Sequence, residues 1–149
     1  MSSGPNHVVI GLGEIGRPIH ELLGEHAGGA LVAGHDLLWP CAFDGPFPVM
    51  HVCMPWTSSF LQDVEDYRDQ FGSDLVIVHS TVPIGTTARI EGAVHSPVLG
   101  RAGRMKADLR LYCKWIGGER AEEARRALLW CPPTRLVPGI NQTEALKLI

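Results

Sequence analysis

The run Val8-Val9-Ile10-Gly11-Leu12-Gly13-Glu14-Ile15-Gly16 decides the fold of this 149-residue chain. Three β-favouring apolar residues lead straight into a glycine turn, and the turn opens an amphipathic stretch. Ile15, Ile19, Leu22 and Leu23 recur at helical spacing, and Gly28-Gly29 closes the helix they predict. Ala30-Leu31-Val32-Ala33 reads as the next strand, ending at His35-Asp36. A lone GxGxxG is weak in a chain with 17 glycines, but strand, turn, helix and a second strand closed by an acid make it specific. Each glycine serves a different end. Gly11 permits the tight turn, Gly13 the close approach of a pyrophosphate, and Gly16 the packing of helix on strand. Free N–H groups of Leu12, Gly13, Glu14 and Ile15 at the helix start would face that anion.

Asp36 lies twenty residues past Gly16, where a carboxylate accepts hydrogen bonds from adenine-ribose hydroxyls and repels a 2′-phosphate. NADP sites place Arg or Lys just after this strand, whereas here no Lys or Arg occurs between Arg17 and Arg68. The expected cofactor is NAD.

Working outward, Val49 to Met54 is a third strand, followed by a helix capped by Thr57 or Ser58 with Phe60, Val64, Tyr67 and Phe71 on one face. Leu75-Val76-Ile77-Val78 is continuously apolar, as a strand covered on both faces should be. It ends in His79-Ser80-Thr81-Val82-Pro83. A short helix from Gly85 to Glu91, a strand into His95, an exposed basic loop from Gly100 to Asp108 and a strand from Tyr112 to Ile116 follow. Glu119 to Leu129 reads as a helix with a Glu122–Arg126 pair on its wet side, and Leu136-Val137 as a last strand. Between Asp36 and Pro48, Trp39, Pro40, Gly45 and Pro46 predict a loop. The alternation predicts an α/β, Rossmann-type doubly wound, mainly parallel sheet with helices on both faces.

Composition sets the outer bounds. A net charge of -3 and 7% aromatic residues give neither the basic field nor the stacking surface that nucleic acid requires, so no nucleic-acid partner is expected. No apolar run approaches the roughly 18–20 residues that span a bilayer, and Met1 to Asn6 lack the features of a signal peptide. No membrane partner and a cytoplasmic location are therefore expected. Cys41, Cys53, Cys113 and Cys131 form no CxxC pair and no His/Cys metal spacing, so buried or partly buried thiols in a reducing compartment are expected and no metal.

Asn141 followed by Glu144 has the form of a capping box for one more helix, with Ala145, Leu146, Leu148 and Ile149 making it apolar. So short a helix is marginal alone. The expected organisation is a dinucleotide-binding domain over residues 1–140 and the start of an inter-domain helix over 141–149, the second domain being absent.

Several segments together resemble the UDP-glucose/GDP-mannose dehydrogenase family, within the 6-phosphogluconate dehydrogenase-like Rossmann superfamily. They are Ile10 to Pro18, Val52-Cys53-Met54-Pro55-Trp56-Thr57, and above all Ser80-Thr81-Val82-Pro83-Ile84-Gly85-Thr86-Thr87. Ile116-Gly117-Gly118 and Thr143-Glu144-Ala145-Leu146-Lys147 fall at the family's closing strand and inter-domain helix. The similarity covers essentially the whole chain but only the family's N-terminal, NAD-binding domain. It implies hydride transfer from a substrate alcohol to NAD, with a small-molecule substrate, in this family a sugar nucleotide, and a homo-oligomer as one possible assembly. It implies cofactor contacts from Met54, Pro55, Thr57, Ser80 and Thr81, and catalytic roles for Thr81 beside the nicotinamide and for Lys147 on developing oxyanion charge.

The chain also departs from that family. Where the family has Ser-Pro-Glu, this sequence has Ser96-Pro97-Val98, and valine can neither relay a proton nor form an ester. None of the four cysteines sits in the motif of the family's nucleophile. His79 and His95 stand at the ends of adjacent strands, either as acid/base groups flanking the nicotinamide, with His95 the catalytic candidate, or as satisfied buried histidines. Arg101, Arg104 and Lys106 are either solvated or set against an anionic substrate. Two rival functions stand beside the dehydrogenase: a regulatory NAD(H)-sensing module without catalysis, and a degenerate domain kept for assembly.

Overall fold

Val8, Val9 and Ile10 are buried on both faces and, with His7, form the strand β1 (His7–Ile10) inside a seven-stranded sheet. The computed structural model describes residues 4–146. The chain turns through α1 (Gly16–Glu25) into β2 (Val32–His35), which pairs with β1 in parallel. It then crosses to the other side of β1 and lays down β3 (Val49–Val52), β4 (Leu75–Val78) and β5 (Ala93–His95), all parallel. Next, β6 (Lys114–Gly117) runs antiparallel to β5, and β7 (Thr134–Val137) closes the sheet parallel to β6. The strand order is β2-β1-β3-β4-β5-β6-β7, an α/β Rossmann-type sheet that is mainly parallel, as the sequence predicts. The direction of winding reverses between β1 and β3, and such a reversal opens a crevice at the carboxyl ends of the strands.

Strand alternation sorts the core into two layers. Val9, Val49, Leu75, Ile77, Val94 and Ile116 face Ile19, Leu22 and Leu23 of α1, with Leu109 of α3 (Met105–Leu111) and the alanines of α4 (Ala121–Ala127). On the other side Val8, Ile10, Met50, Val52, Val76 and Val78 face Phe60, Val64 and Phe71 of α2 (Phe60–Phe71). Pro18 is accommodated because it lies in the first turn of α1, where a missing N–H breaks no helical bond. Gly72 ends α2 in the left-handed conformation, its N–H donating to the Arg68 carbonyl.

Several local expectations are corrected. The Gly100–Asp108 stretch is not a loop throughout, because α3 begins at Met105. Lys106 is anchored on Glu25 at 2.5 Å and Glu21 at 3.3 Å of α1, and the density of basic residues hides the helical period. Tyr112 caps α3 rather than opening β6. The helix expected over Gly85–Glu91 is a single 3-10 turn, Thr87–Arg89. Ser59, not Thr57 or Ser58, precedes α2, and its hydroxyl donates to Asp63 at 3.0 Å. In α4 Glu122 pairs with Arg125, one residue nearer than the expected Arg126. Cys131 is exposed, with a left-handed backbone at φ 53°, rather than partly buried.

The last described helix, α5 (Ile140–Ala145), starts one residue before the expected cap. Glu144 does not reach back to Asn141 as a capping box would. It is buried and accepts hydrogen bonds from Gly85 N at 2.8 Å and Thr87 N at 2.9 Å. Among the described residues no helix is long and apolar enough to cross a membrane.

Candidate dinucleotide site

Between the ends of β1 and β3 lies a cleft of about 780 Å³, in the range of small-molecule and cofactor sites. The glycine turn forms its floor. Gly11 has φ +91°, and a Cβ there would lie 2.8 Å from Met54 N, so the turn and the β3 loop touch backbone to backbone. A Cβ on Gly16 would fall 1.5 Å from the Gly11 carbonyl oxygen, which enforces the close packing expected of that glycine. Gly13 differs, since a Cβ there would meet nothing within 4 Å. The protein's own packing does not require glycine at 13, whereas an approaching ligand would.

The first helical hydrogen bond of α1 runs from Arg17 N to Gly13 O at 3.1 Å, so the amides of residues 13–16 precede the ladder. Leu12 is the exception among the expected contacts. Its N–H donates to Asp36 Oδ2 at 2.7 Å, and its amide is therefore already engaged. That bond, with further N–H donors from Leu38 and Leu37, holds the Asp36 carboxyl below its ordinary range. Asp36 is thus an anion fixed at the cleft rim beside the glycine turn.

Met54, Pro55, Thr57, Ser80 and Thr81 all line the same cleft, as do Gly11, Gly13, Glu14 and Ile15. Gly16 is buried behind them and lines nothing. The Ser80 hydroxyl faces inward and donates to Met54 O at 2.6 Å, strapping the end of β4 to the β3 loop. Thr81 is exposed at the carboxyl end of β4, where a reacting group would meet it. Lys147 lies outside the described residues.

His95 is placed differently from the expectation of a group flanking a nicotinamide. It is 1% exposed, its Nε2 lies 2.9 Å from Ser80 O and its Nδ1 lies 3.0 Å from Thr143 Oγ1 of α5. Behind the cleft wall, it supports the backbone that carries Thr81. His79 also misses the cleft, and on the opposite face. The register sets Val78 beside His95, so alternation sends His79 to the α1 side. Val98 is a core residue at 1% exposure, in line with the absence of a catalytic carboxylate there. Lys106 is consumed by its α1 ion pairs rather than by the cleft, and Arg104 lies 3.9 Å from Asp108.

Sequence reasoning missed Cys53, Trp56, Asp63, Tyr67, Leu37 and His35, which also line the cleft. Tyr67 carries a signal that reads only as core, because its helical spacing from Phe60 and Val64 is that of a buried face. Cys53 is buried and its thiol is pushed up to about 12 by desolvation, so no thiolate is available in the cleft.

No protein-family profile and no curated protein matches the chain. Solved structures do. UDP-N-acetyl-mannosamine dehydrogenase from Staphylococcus aureus superposes with a TM-score of 0.79 at 19% identity, over 96% of this chain and 50% of that one. UDP-D-ManNAc dehydrogenase from Pyrococcus horikoshii gives 0.78 at 19% identity, over 95% and 49%. The 3-hydroxyisobutyrate dehydrogenase of Mycobacterium tuberculosis gives 0.70 at 19% identity, over 97% and 58%. The chain thus spans about half the length of the nucleotide-sugar dehydrogenases it matches, and across nearly all of its own length it has their fold.

Proposed function

We propose that the chain is the NAD-binding domain of a nucleotide-sugar-dehydrogenase-like oxidoreductase. The observation that carries this reading is the open space over Gly13 at the head of a cleft whose rim holds the Asp36 anion. Gly11, Gly13, Glu14 and Ile15 would hold the pyrophosphate, Asp36 the adenine ribose, and Met54, Pro55, Thr57 and Thr81 the rest of the dinucleotide. When bound, the nicotinamide supplies the hydride acceptor for oxidation of an alcohol carbon. The chain's own part is to orient and to exclude water. Ser80 locks the β3 and β4 loops together, and Glu144 and His95 fix the backbone on either side of Thr81. Fold likeness to the nucleotide-sugar and 3-hydroxyisobutyrate dehydrogenases supports a nicotinamide-dependent oxidoreductase. The sugar-nucleotide substrate rests on the Thr81 segment, and Lys147 is assigned to oxyanion stabilisation on the same resemblance.

The test is fluorescence titration with NADH and NADPH. Saturable NADH binding, at least about tenfold tighter than NADPH, is expected, a gap of roughly 1.4 kcal/mol. Equal affinities would refute the role of Asp36, and no binding of either would refute the whole reading. A regulatory NAD(H)-sensing module is favoured by one observation, that neither His79 nor His95 reaches the cleft. Tight NADH binding with no stereospecific hydride exchange, in a protein carrying its substrate domain, would decide for the sensor.

A further inference from the structure

Under α1, on a face otherwise built from Val, Leu and Ile, the sheet buries a line of three histidines. His7 opens β1, His51 lies in β3 and His79 follows β4, each no more than 1% exposed. His7 Nδ1 lies 2.9 Å from His51 Nε2, and His51 Nδ1 lies 2.9 Å from His79 Nε2. The rings are stacked with interplanar angles of 16° and 15°. At the far end His79 Nδ1 lies 2.9 Å from Lys114 Nζ. Lys114 is itself buried, and its ammonium also donates to the carbonyl and hydroxyl of Ser96, with Pro97 O lying beside them at 3.3 Å.

An ammonium has only donors, which fixes every tautomer in the line. Lys114 donates to His79 Nδ1, so the His79 proton is on Nε2 and is donated to His51 Nδ1. The His51 proton is then on Nε2 and is donated to His7 Nδ1, leaving the His7 proton on its outer Nε2. All three imidazoles point the same way, donor to acceptor, along a diagonal of the sheet. Among the described residues the buried side-chain nitrogens and oxygens without a partner are Thr87 Oγ1 and Asp108 Oδ1, so the outer nitrogen of His7 reaches solvent. The other end lies at the carboxyl edge of β4 and β5, against the Ser96-Pro97 backbone.

We propose that Lys114, His79, His51 and His7 form a reversible proton relay through the sheet, by which the buried Lys114 ammonium exchanges its proton with solvent at the opposite edge. In one passage a Lys114 N–H bond breaks as His79 Nδ1–H forms. His79 Nε2–H breaks as His51 Nδ1–H forms, and His51 Nε2–H breaks as His7 Nδ1–H forms. The Nε2 proton of His7 leaves to water. Lys114 is left as a neutral amine, and the reverse passage returns a proton from water to it and restores the starting tautomers, so the line exchanges the Lys114 proton with solvent without net transport. Burial holds all three imidazoles below their ordinary basicity, His7 at about 4 and His51 and His79 well below the usual imidazole value, with the charge of His7 and then of Lys114 adding to the depression of His51 and that of Lys114 to the depression of His79. The proton is therefore handed on rather than stored as a buried imidazolium. The relay needs no nucleotide.

The experiment uses the nucleotide-free, ¹⁵N-labelled protein, so its outcome is independent of cofactor binding. Two-bond ¹⁵N–¹H spectra at neutral pH should show His7, His51 and His79 all as Nε2–H tautomers; an Nδ1–H form at His51 would overturn the relay. Exchange of the His79 Nε2–H with solvent should slow by about tenfold or more in His7→Phe and in His51→Phe, which keep a ring and remove the path. Rates unchanged or faster in both variants would show a static network, since loosening the fold only accelerates exchange. If His51→Phe does not fold, His7→Phe and the wild-type tautomers still decide.

Discussion

Replacing Gly13 with alanine, and separately Gly16 with alanine, should separate binding from folding. A Cβ on Gly16 would stand 1.5 Å from the Gly11 carbonyl oxygen and 2.7 Å from its carbon, both rigid backbone atoms. The first of these is about 2 Å inside the optimal separation of roughly 3.5–4.0 Å between non-bonded atoms. Relief requires moving the start of α1 off β1, which disturbs Ile19, Leu22 and Leu23 in the core. Overpacking costs about 1–3 kcal/mol where neighbours can yield, and backbone against backbone should cost at least the upper end. Set against a total stability of roughly 5–15 kcal/mol, Gly16→Ala should lower the melting temperature by many degrees or prevent folding. Gly13 has open space around its Cβ position, so Gly13→Ala should change stability by about 0.5 kcal/mol or less. Its methyl group would nonetheless stand where the pyrophosphate must approach, and NADH affinity should fall about tenfold or more, some 1.4 kcal/mol. Thermal unfolding by circular dichroism and NADH fluorescence titration on the same samples read the two quantities. Unimpaired NADH binding by Gly13→Ala would refute the assignment of the glycine turn. A Gly13→Ala variant as unstable as Gly16→Ala would refute the packing argument.

The buried histidines give the chain an acid limit. His7 has a folded value of about 4 against an ordinary 6.5, because burial disfavours its cation, and His51 and His79 are likewise held well below the ordinary value. The unfolded chain binds those protons first, so stability is intact above about pH 6.5 and falls as pH drops towards 4. His7 alone accounts for about 3 kcal/mol at the lower end, and urea midpoints that stay flat from pH 7 to pH 4.5 would contradict this. Glu144→Ala strips the acceptor from the buried amide of Thr87 and the half-buried amide of Gly85, and should cost about 2–4 kcal/mol in urea unfolding. Asp36→Ala should weaken NADH binding and narrow its margin over NADPH, while a margin left intact would place discrimination elsewhere. Thr81→Ala should weaken NADH binding only about threefold, because Thr81 is one of several cleft contacts and Ser80 supplies the strap, but should slow hydride transfer more than that in a protein carrying the substrate domain.

How much of this is legible in the sequence depends on how far apart the interacting residues lie. The glycine turn, the apolar run of β4 and the α2 face are local patterns, and each becomes the element its periodicity predicts. Asp36 stands out locally as the acid that closes the second strand, yet its bond to Leu12 N joins the ends of two strands and has no local signature. Glu144 shows the limit most clearly. Three residues from Asn141, it has the spacing of a capping box, and helix rules assign it to its own helix end. In the fold it lies against amides almost sixty residues earlier, where two N–H groups, one of them fully buried, offer a carboxylate more than one N–H at a frayed terminus does.

The histidines follow the same logic and explain why a motif-based reading sends them to the cleft. At the end of a parallel strand, a histidine faces either side of the sheet according to a one-residue difference in register. His95 falls in phase with Ala93 and supports the Ser80 carbonyl from the α5 side, while His79, in phase with Ile77, joins His51 and His7 beneath α1. Neither position is chemically idle. A buried imidazole without partners would carry a desolvation cost that Val or Ile avoids, so three in a row persist only because each satisfies the next. Such a line is also all-or-none, since removing His51 leaves nitrogens of both His7 and His79 without acceptor or donor. A double-mutant cycle of His7→Phe and His79→Phe should therefore show coupling of about 0.5 kcal/mol or more although the two rings do not touch, and strict additivity would mean the line is three independent contacts.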